Sequence, residues 1–150
     1  MMSINVFTVK QFKVKGGRYD LESRKIRSPR DAFNVIEMVL DLQHAACENF
    51  GIITLNTKNA VAGLHVLSIG TLNAAMVHPR EVFKAAVLNN AASLVCFHNH
   101  PSGDPTPSRE DEEVTRKLVA AGEMMGIDVL DHIIIGDSRF YSLKENGIGF

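Results

Sequence analysis

Apolar residues recur along the chain with two periods, and the switches between them mark an alternation of strands and helices. Residues 4–14, INVFTVKQFKV, alternate loosely in the manner of a strand, and Gly16-Gly17 then breaks the pattern. At Ser28-Pro29-Arg30-Asp31 a side-chain cap, a proline at the first helical position and an acid two residues later predict a helix that runs to about His44. ENFGIITLNT at 48–57 reads as a strand, Lys58-Asn59 as a turn and AVAGLHVLSIG at 60–70 as the second arm of a hairpin. A second helix opens at His78-Pro79-Arg80-Glu81, with Val82, Phe83, Ala86 and Val87 at helical spacing. SLVCF at 93–97 is a short, continuously apolar run, which predicts a buried strand. It leads through His98-Asn99-His100 into PSGDPTP, whose three prolines and glycine can continue neither strand nor helix. A third helix is predicted from Ser108 to about Met125 with Gly126 as its cap, and IDVLDHIIIG and FYSL supply two last strands. The order predicts an α/β domain over 28–150, preceded by an arm over 1–27. There is no internal repeat.

With 150 residues, 45% of them hydrophobic, the chain can bury one core and is too short for two ordinary domains. The net charge of -1 gives no overall reason to expect nucleic acid, membrane or an acidic partner. The average hides an asymmetry: Lys10, Lys13, Lys15, Arg18, Arg24, Lys25, Arg27 and Arg30 face only Asp20 and Glu22 within residues 1–30. That arm could touch DNA or another anion; a solvated edge strand and loop accounts for the same charges. Cys47 and Cys96 form neither a disulfide framework nor a CxxC pair, and MMSINVF lacks the apolar region of a signal peptide. No stretch approaches the length of a membrane helix. A soluble, cytoplasmic protein is expected.

Three features converge after the buried strand. In an extended chain His98 and His100 project to one face, so both imidazoles can hold one ion, and the proline-rich loop can return a helix start to it. Asp111, in the first turn of that helix, is then the third ligand. Two nitrogens and an oxygen leave a fourth tetrahedral position for water, the pattern of a catalytic zinc site, where the pKa of that water falls to about 7. Hydrolysis also needs a base and an oxyanion donor. Glu48, which opens an apolar strand, is the candidate base, and Ser108 the candidate donor.

Each of these residues has a plainer reading. Ser108-Arg109-Glu110-Asp111 is also an N-cap with an acid at the third helical position. Two histidines at strand spacing can be packing residues, and Glu48 a solvated strand end. The order HxHP, loop, SxxD is rarely produced by capping needs alone. His132 reads as a hydrogen-bonded packing residue or a partner of a ligand; His44, His65 and His78 read as structural, and Cys96 as a small buried hydrophobe.

SIGTLNAAMVHPREVFKAA, LVCFHNHPSGDPTPSREDEEVTRKL and GIDVLDHIIIG resemble the RadC family of the JAB/MPN/JAMM metalloenzyme superfamily, over roughly Ser28 to Glu145. The resemblance places the superfamily motif, an upstream glutamate followed by HxHP, serine and aspartate, on Glu48, His98, His100, Ser108 and Asp111. It implies a cytidine deaminase-like JAB/MPN fold, a central mixed β-sheet flanked by helices, and one zinc ion per chain serving peptide or isopeptide hydrolysis. It also brings a DNA-repair label, and with it a second expectation, a non-catalytic DNA-associated binding module in repair or recombination. Asn99 stands where many JAMM deubiquitinases have serine or threonine. The helical N-terminal domain of longer RadC proteins has no counterpart in this sequence, as in short forms that look mobile-element or phage-associated.

Two other enzymes are excluded by spacing. HNH nucleases distribute their histidines and asparagine over a ββα unit, whereas here they are consecutive. A zinc deaminase needs HxE followed by PCxxC, and neither occurs.

Overall fold

The computed structural model describes residues 1–8, 10–14, 16–19, 24–70 and 77–150. Helix α1, Pro29–Leu40, starts on a reciprocal cap: Ser28 Oγ accepts from Asp31 N, and Asp31 Oδ2 accepts from Ser28 N. It ends four residues short of the expected His44, because Asp41 takes a left-handed conformation (φ 50°) that stops the helix, and Leu42–His44 continue as a 3-10 turn. Strands β1, Glu48–Leu55, and β2, Val61–Gly70, form the expected antiparallel hairpin. β1 stops two residues early because Asn56 folds the chain back, its Oδ1 accepting from Lys58 N and Ala60 N.

Helix α2, Pro79–Leu88, is capped by His78, whose Nδ1 accepts from Arg80 N at 3.1 Å. Strand β3, Ser93–Asn99, is buried at every position, and α3, Arg109–Met125, carries the chain across to β4, Asp128–Ile135; β5 is Phe140–Ser142. The sheet order is β2-β1-β3-β4-β5, with β3 and β4 parallel and every other pair antiparallel. A parallel pair requires a crossover, and α3 is that crossover. Two cores follow from the alternation of side chains. Phe50, Ile52, Leu94 and Cys96 pack under α2 and α3; Ile53, Leu55, Val95 and Phe97 pack under α1. The fold is α/β with a central mixed sheet flanked by helices, as a JAB/MPN domain requires.

β3 is two residues longer than its apolar run because neighbours on both sides hold its end. His98 pairs with Phe50 of β1 and Ile134 of β4, and Asn99 with Ile135. The expected strand over 4–14 is not formed: residues 4–8 and 10–14 have no regular structure and are exposed. A strand must place its backbone N–H and C=O groups on a neighbour, and among the described residues this segment reaches the domain through a side chain, Gln11 Nε2 donating to Ala85 O at 3.1 Å. Among the described residues before α1, the chain meets the sheet at Arg24–Ile26, where Val61 N donates to Arg24 O and Ile26 N to Asn59 O. Lys15, Asp20 and Glu22 lie outside the described residues. Among the described residues no helix is long and apolar enough to cross a membrane.

Candidate metal centre

The end of β3 and the start of α3 meet at one point because the loop between them is locked onto the end of β4. His100 N donates to Ile135 O, and Asp137 N donates to Gly103 O. The two segments touch so closely that a Cβ on Gly136 would lie 2.5 Å from Gly103 O and 2.7 Å from Pro105 Cδ. Gly103 itself has φ +85°, a conformation that glycine adopts without strain. The loop therefore returns α3 to the strand end in a fixed geometry.

There His98, His100 and Asp111 converge. Their Nε2 atoms stand 3.0 Å apart, His98 Nε2 is 3.2 Å from Asp111 Oδ1, and His100 Nε2 is 3.2 Å from Asp111 Oδ2. Among the described residues these are the group of three whose donor atoms could hold a metal ion. The donor set and its spacing fit one. Ligands about 2.0–2.1 Å from a tetrahedral ion are about 3.3 Å from each other. His100 Nδ1 faces the carbonyl of Asp104 at 2.8 Å, and a carbonyl only accepts, so the neutral His100 ring keeps its proton on Nδ1 and turns its Nε2 lone pair to the cluster, while the second proton of the imidazolium lies on Nε2, facing Asp111.

Asp111 is at once a cap and a member of the cluster. Asp111 N donates to Ser108 Oγ at 3.1 Å, and Asp111 Oδ2 accepts from Ser108 N at 2.8 Å. Burial alone would push the Asp111 carboxyl up, but its contacts with His100 and His98 and the bond from Ser108 N outweigh it and hold the group well below the usual carboxylate range. The carboxylate is therefore charged at any working pH. His100 is shifted up, chiefly by its hydrogen bond with Asp111 and partly by the fields of Asp111 and Glu48.

Glu48 does not belong to the trio. In the antiparallel register Phe50 opposes His98, so two residues earlier Glu48 lies on the same sheet face as His98 and His100. Asn99, between the histidines, faces the other way and clamps the backbone on either side of Glu48. Its Oδ1 accepts from Asn49 N at 2.7 Å, and its Nδ2 donates to Cys47 O at 3.0 Å. Ser108 sits at the N-cap of α3 with its hydroxyl oxygen accepting from Asp111 N. Phe50, fully buried, lies under the site, with its ring 6.4 Å from that of His98 and 5.7 Å, edge-on, from that of His132.

The other histidines have partners of their own: His44 with Asp41, His65 with Thr54 and Asn89, His78 as a cap. Cys96 is wholly buried, and burial pushes its thiol far up, as for a packing residue. His132 is bonded to His98. Two contributors escaped the sequence reading: Thr115, one turn beyond Asp111 in α3, and the Asp104 carbonyl. Neither has a residue-type signal, because a threonine inside a helix and a backbone oxygen look ordinary in sequence.

The RadC-like JAB domain family matches residues 26–148, nearly the whole described domain. The chain belongs to the RadC family. It is 54% identical over 122 residues to the UPF0758 protein YsxA of Bacillus subtilis, covering 81% of this chain and 52% of that protein. A UPF0758 protein of Methanosarcina mazei is 53% identical over 124 residues (83% of this chain, 53% of the relative), and one from Desulforamulus reducens 54% identical over 123 (82% and 53%). The chain thus spans about half the length of the curated relatives it matches. The cluster and its surroundings, Glu48 to His132, all fall within the region that this RadC family domain covers.

Proposed function

We propose that this RadC-family domain is a zinc-dependent hydrolase of peptide or isopeptide bonds. The observation that carries the reading is the convergence of two imidazole nitrogens and a charged carboxylate, three protein ligands that leave one tetrahedral position open. His98, His100 and Asp111 would hold the ion; an N2O donor set suits zinc. Bound there, zinc supplies a Lewis acid and a water of lowered pKa. Glu48, on the same sheet face and held by the Asn99 clamp, takes a proton from the attacking water and returns it to the leaving amine. The Ser108 hydroxyl, which uses its oxygen as the cap, donates its hydrogen to the carbonyl oxygen as negative charge develops there.

Zinc content by elemental analysis, followed by a screen of peptides and isopeptides, tests this reading. We expect about one equivalent per chain, lost in His100→Ala, and hydrolysis that disappears in Glu48→Gln while zinc is retained. Full activity in Glu48→Gln with full zinc would refute the mechanism. The exposure of Lys10, Lys13 and Arg18 in the arm supports a second reading, a DNA-binding module. It requires salt-dependent DNA binding that vanishes when Lys10, Lys13, Lys15 and Arg18 are neutralised; no binding at low salt removes it.

A further inference from the structure

Behind the cluster a chain of hydrogen bonds runs from one proposed ligand back to the backbone of another. His98 Nδ1 is 2.8 Å from His132 Nε2, His132 Nδ1 is 2.6 Å from Thr115 Oγ1, and Thr115 Oγ1 is 2.7 Å from Asp111 O. His98, His132 and Thr115 are each at most 2% exposed, so no water competes for these contacts.

The direction of every proton in this chain is determined. Asp111 O is a carbonyl and only accepts, so the single Thr115 hydrogen goes to it. Thr115 Oγ1 must then accept from His132, which places the His132 proton on Nδ1 and leaves Nε2 as an acceptor. His98 must donate to that acceptor, so its proton is on Nδ1 and its Nε2 carries a bare lone pair. The reverse polarity would set two oxygen lone pairs against each other at 2.7 Å with no hydrogen between them.

We infer that His132 and Thr115 are positioning residues that lock His98 in the tautomer protonated on Nδ1, so that its Nε2 lone pair is presented to a divalent metal. The inference rests on the metal reading of the site. His100 is locked in the same tautomer by a backbone carbonyl of its own loop. His98 lies within β3, whose carbonyls are engaged in the ladder, so its orienting groups come from β4 and α3 instead. A purely structural role would need only two packed side chains of the right volume; it would not need a polarity that ends on a carbonyl.

The test compares Thr115→Val, which keeps the shape and removes the hydroxyl, with Thr115→Ser, which keeps the hydroxyl, and His132→Leu with His132→Gln, whose amide oxygen can accept from His98. Two quantities are read in the 150-residue chain: zinc affinity by chelator competition, and the His98 tautomer in metal-free protein by long-range 15N–1H NMR, well above the ordinary histidine pKa. We expect Thr115→Val and His132→Leu to bind zinc roughly 10–100-fold more weakly and to gain the Nε2–H form of His98. Thr115→Ser and His132→Gln should recover most of the affinity and the Nδ1–H form. A wild-type protein that binds zinc, with an unchanged His98 tautomer and affinity in Thr115→Val, would overturn the inference and leave the metal site standing. A wild-type protein that binds no zinc would overturn the metal reading, and the metal-free tautomer would still decide whether the relay orients His98. Loss of zinc in Thr115→Ser as severe as in Thr115→Val would also refute it, since the hydroxyl would then be irrelevant.

Discussion

Capping and metal ligation make opposite demands on a pair of variants, and the geometry of Asp111 separates them. Asp111→Asn preserves the cap, because an amide oxygen can still accept from Ser108 N, but it replaces a charged ligand with a poor neutral one. Ser108→Ala does the reverse: Asp111 N loses its acceptor while the carboxylate stays beside both histidines. Loss of a cap side chain costs about 1 kcal/mol, and for a chain of 150 residues each kcal/mol lowers the melting temperature by about 2–4 °C. Zinc held at a hundredfold excess over its dissociation constant should add about 2.7 kcal/mol, or roughly 5–11 °C. If Asp111→Asn weakens zinc by about 100-fold, the same free zinc adds about 0.4 kcal/mol, or roughly 1–2 °C. The assay is the melting temperature of each protein with and without buffered free zinc, each compared with its own metal-free form. Ser108→Ala should melt lower and keep most of the zinc increment; Asp111→Asn should lose it. A full increment in Asp111→Asn would show that Asp111 only caps α3 and is no ligand of the zinc that binds.

Three further outcomes follow from the same geometry. Because Asp111 holds the His100 pKa above its ordinary value, the proton-bound form persists to higher pH than in a free histidine, and zinc must displace that proton. Without metal the pair stabilises the fold below the unfolded pKa and loses that contribution as pH rises through the raised value. With zinc the trend reverses, so the melting-temperature difference between loaded and metal-free protein should widen as pH rises; a constant difference would contradict it. Gly136→Ala should cost about 1–3 kcal/mol by overpacking and also weaken zinc, since its Cβ would displace the loop joining His100 to Asp111. Unchanged chelator competition would show that the loop does not set the site. Asn99→Ser should leave zinc content unchanged but expose the start of β1, read as faster hydrogen exchange at Asn49 N, whose partner is lost; equal exchange rates would refute the clamp.

The elements that the sequence made legible are those specified locally. Ser28-Pro29 and Ser108 carry their caps within four residues, and the hairpin turn is set by Asn56 through its own neighbours. The trio was legible for the same reason: strand spacing places His98 and His100 on one face, and a short rigid loop limits where Asp111 can go. What required the structure was contact between segments distant in sequence. Asp41 stops α1 through a left-handed backbone that many aspartates do not adopt. β3 gains His98 and Asn99 from pairing on both flanks, and residues 4–8 and 10–14 form no strand, with no neighbour paired to them among the described residues. Alternation in sequence describes a face, and a strand also needs an edge.

The plain and the functional readings of SxxD were never exclusive, because a carboxylate has two oxygens. Oδ2 closes the capping box and reaches His100, and Oδ1 faces His98. The cap thereby fixes the rotamer of a ligand that a surface aspartate would leave to wander, and the orientation cost of binding is met in folding. The same economy appears in the histidines, one oriented by a loop carbonyl and the other through His132 by Thr115, on the helix that carries Asp111. The groups of the site, from Glu48 to His132, lie inside the one domain that the chain shares with longer relatives, of which the match covers about half. Metal binding should therefore be a property of this domain by itself, whatever the rest of a longer relative adds in substrate or partner.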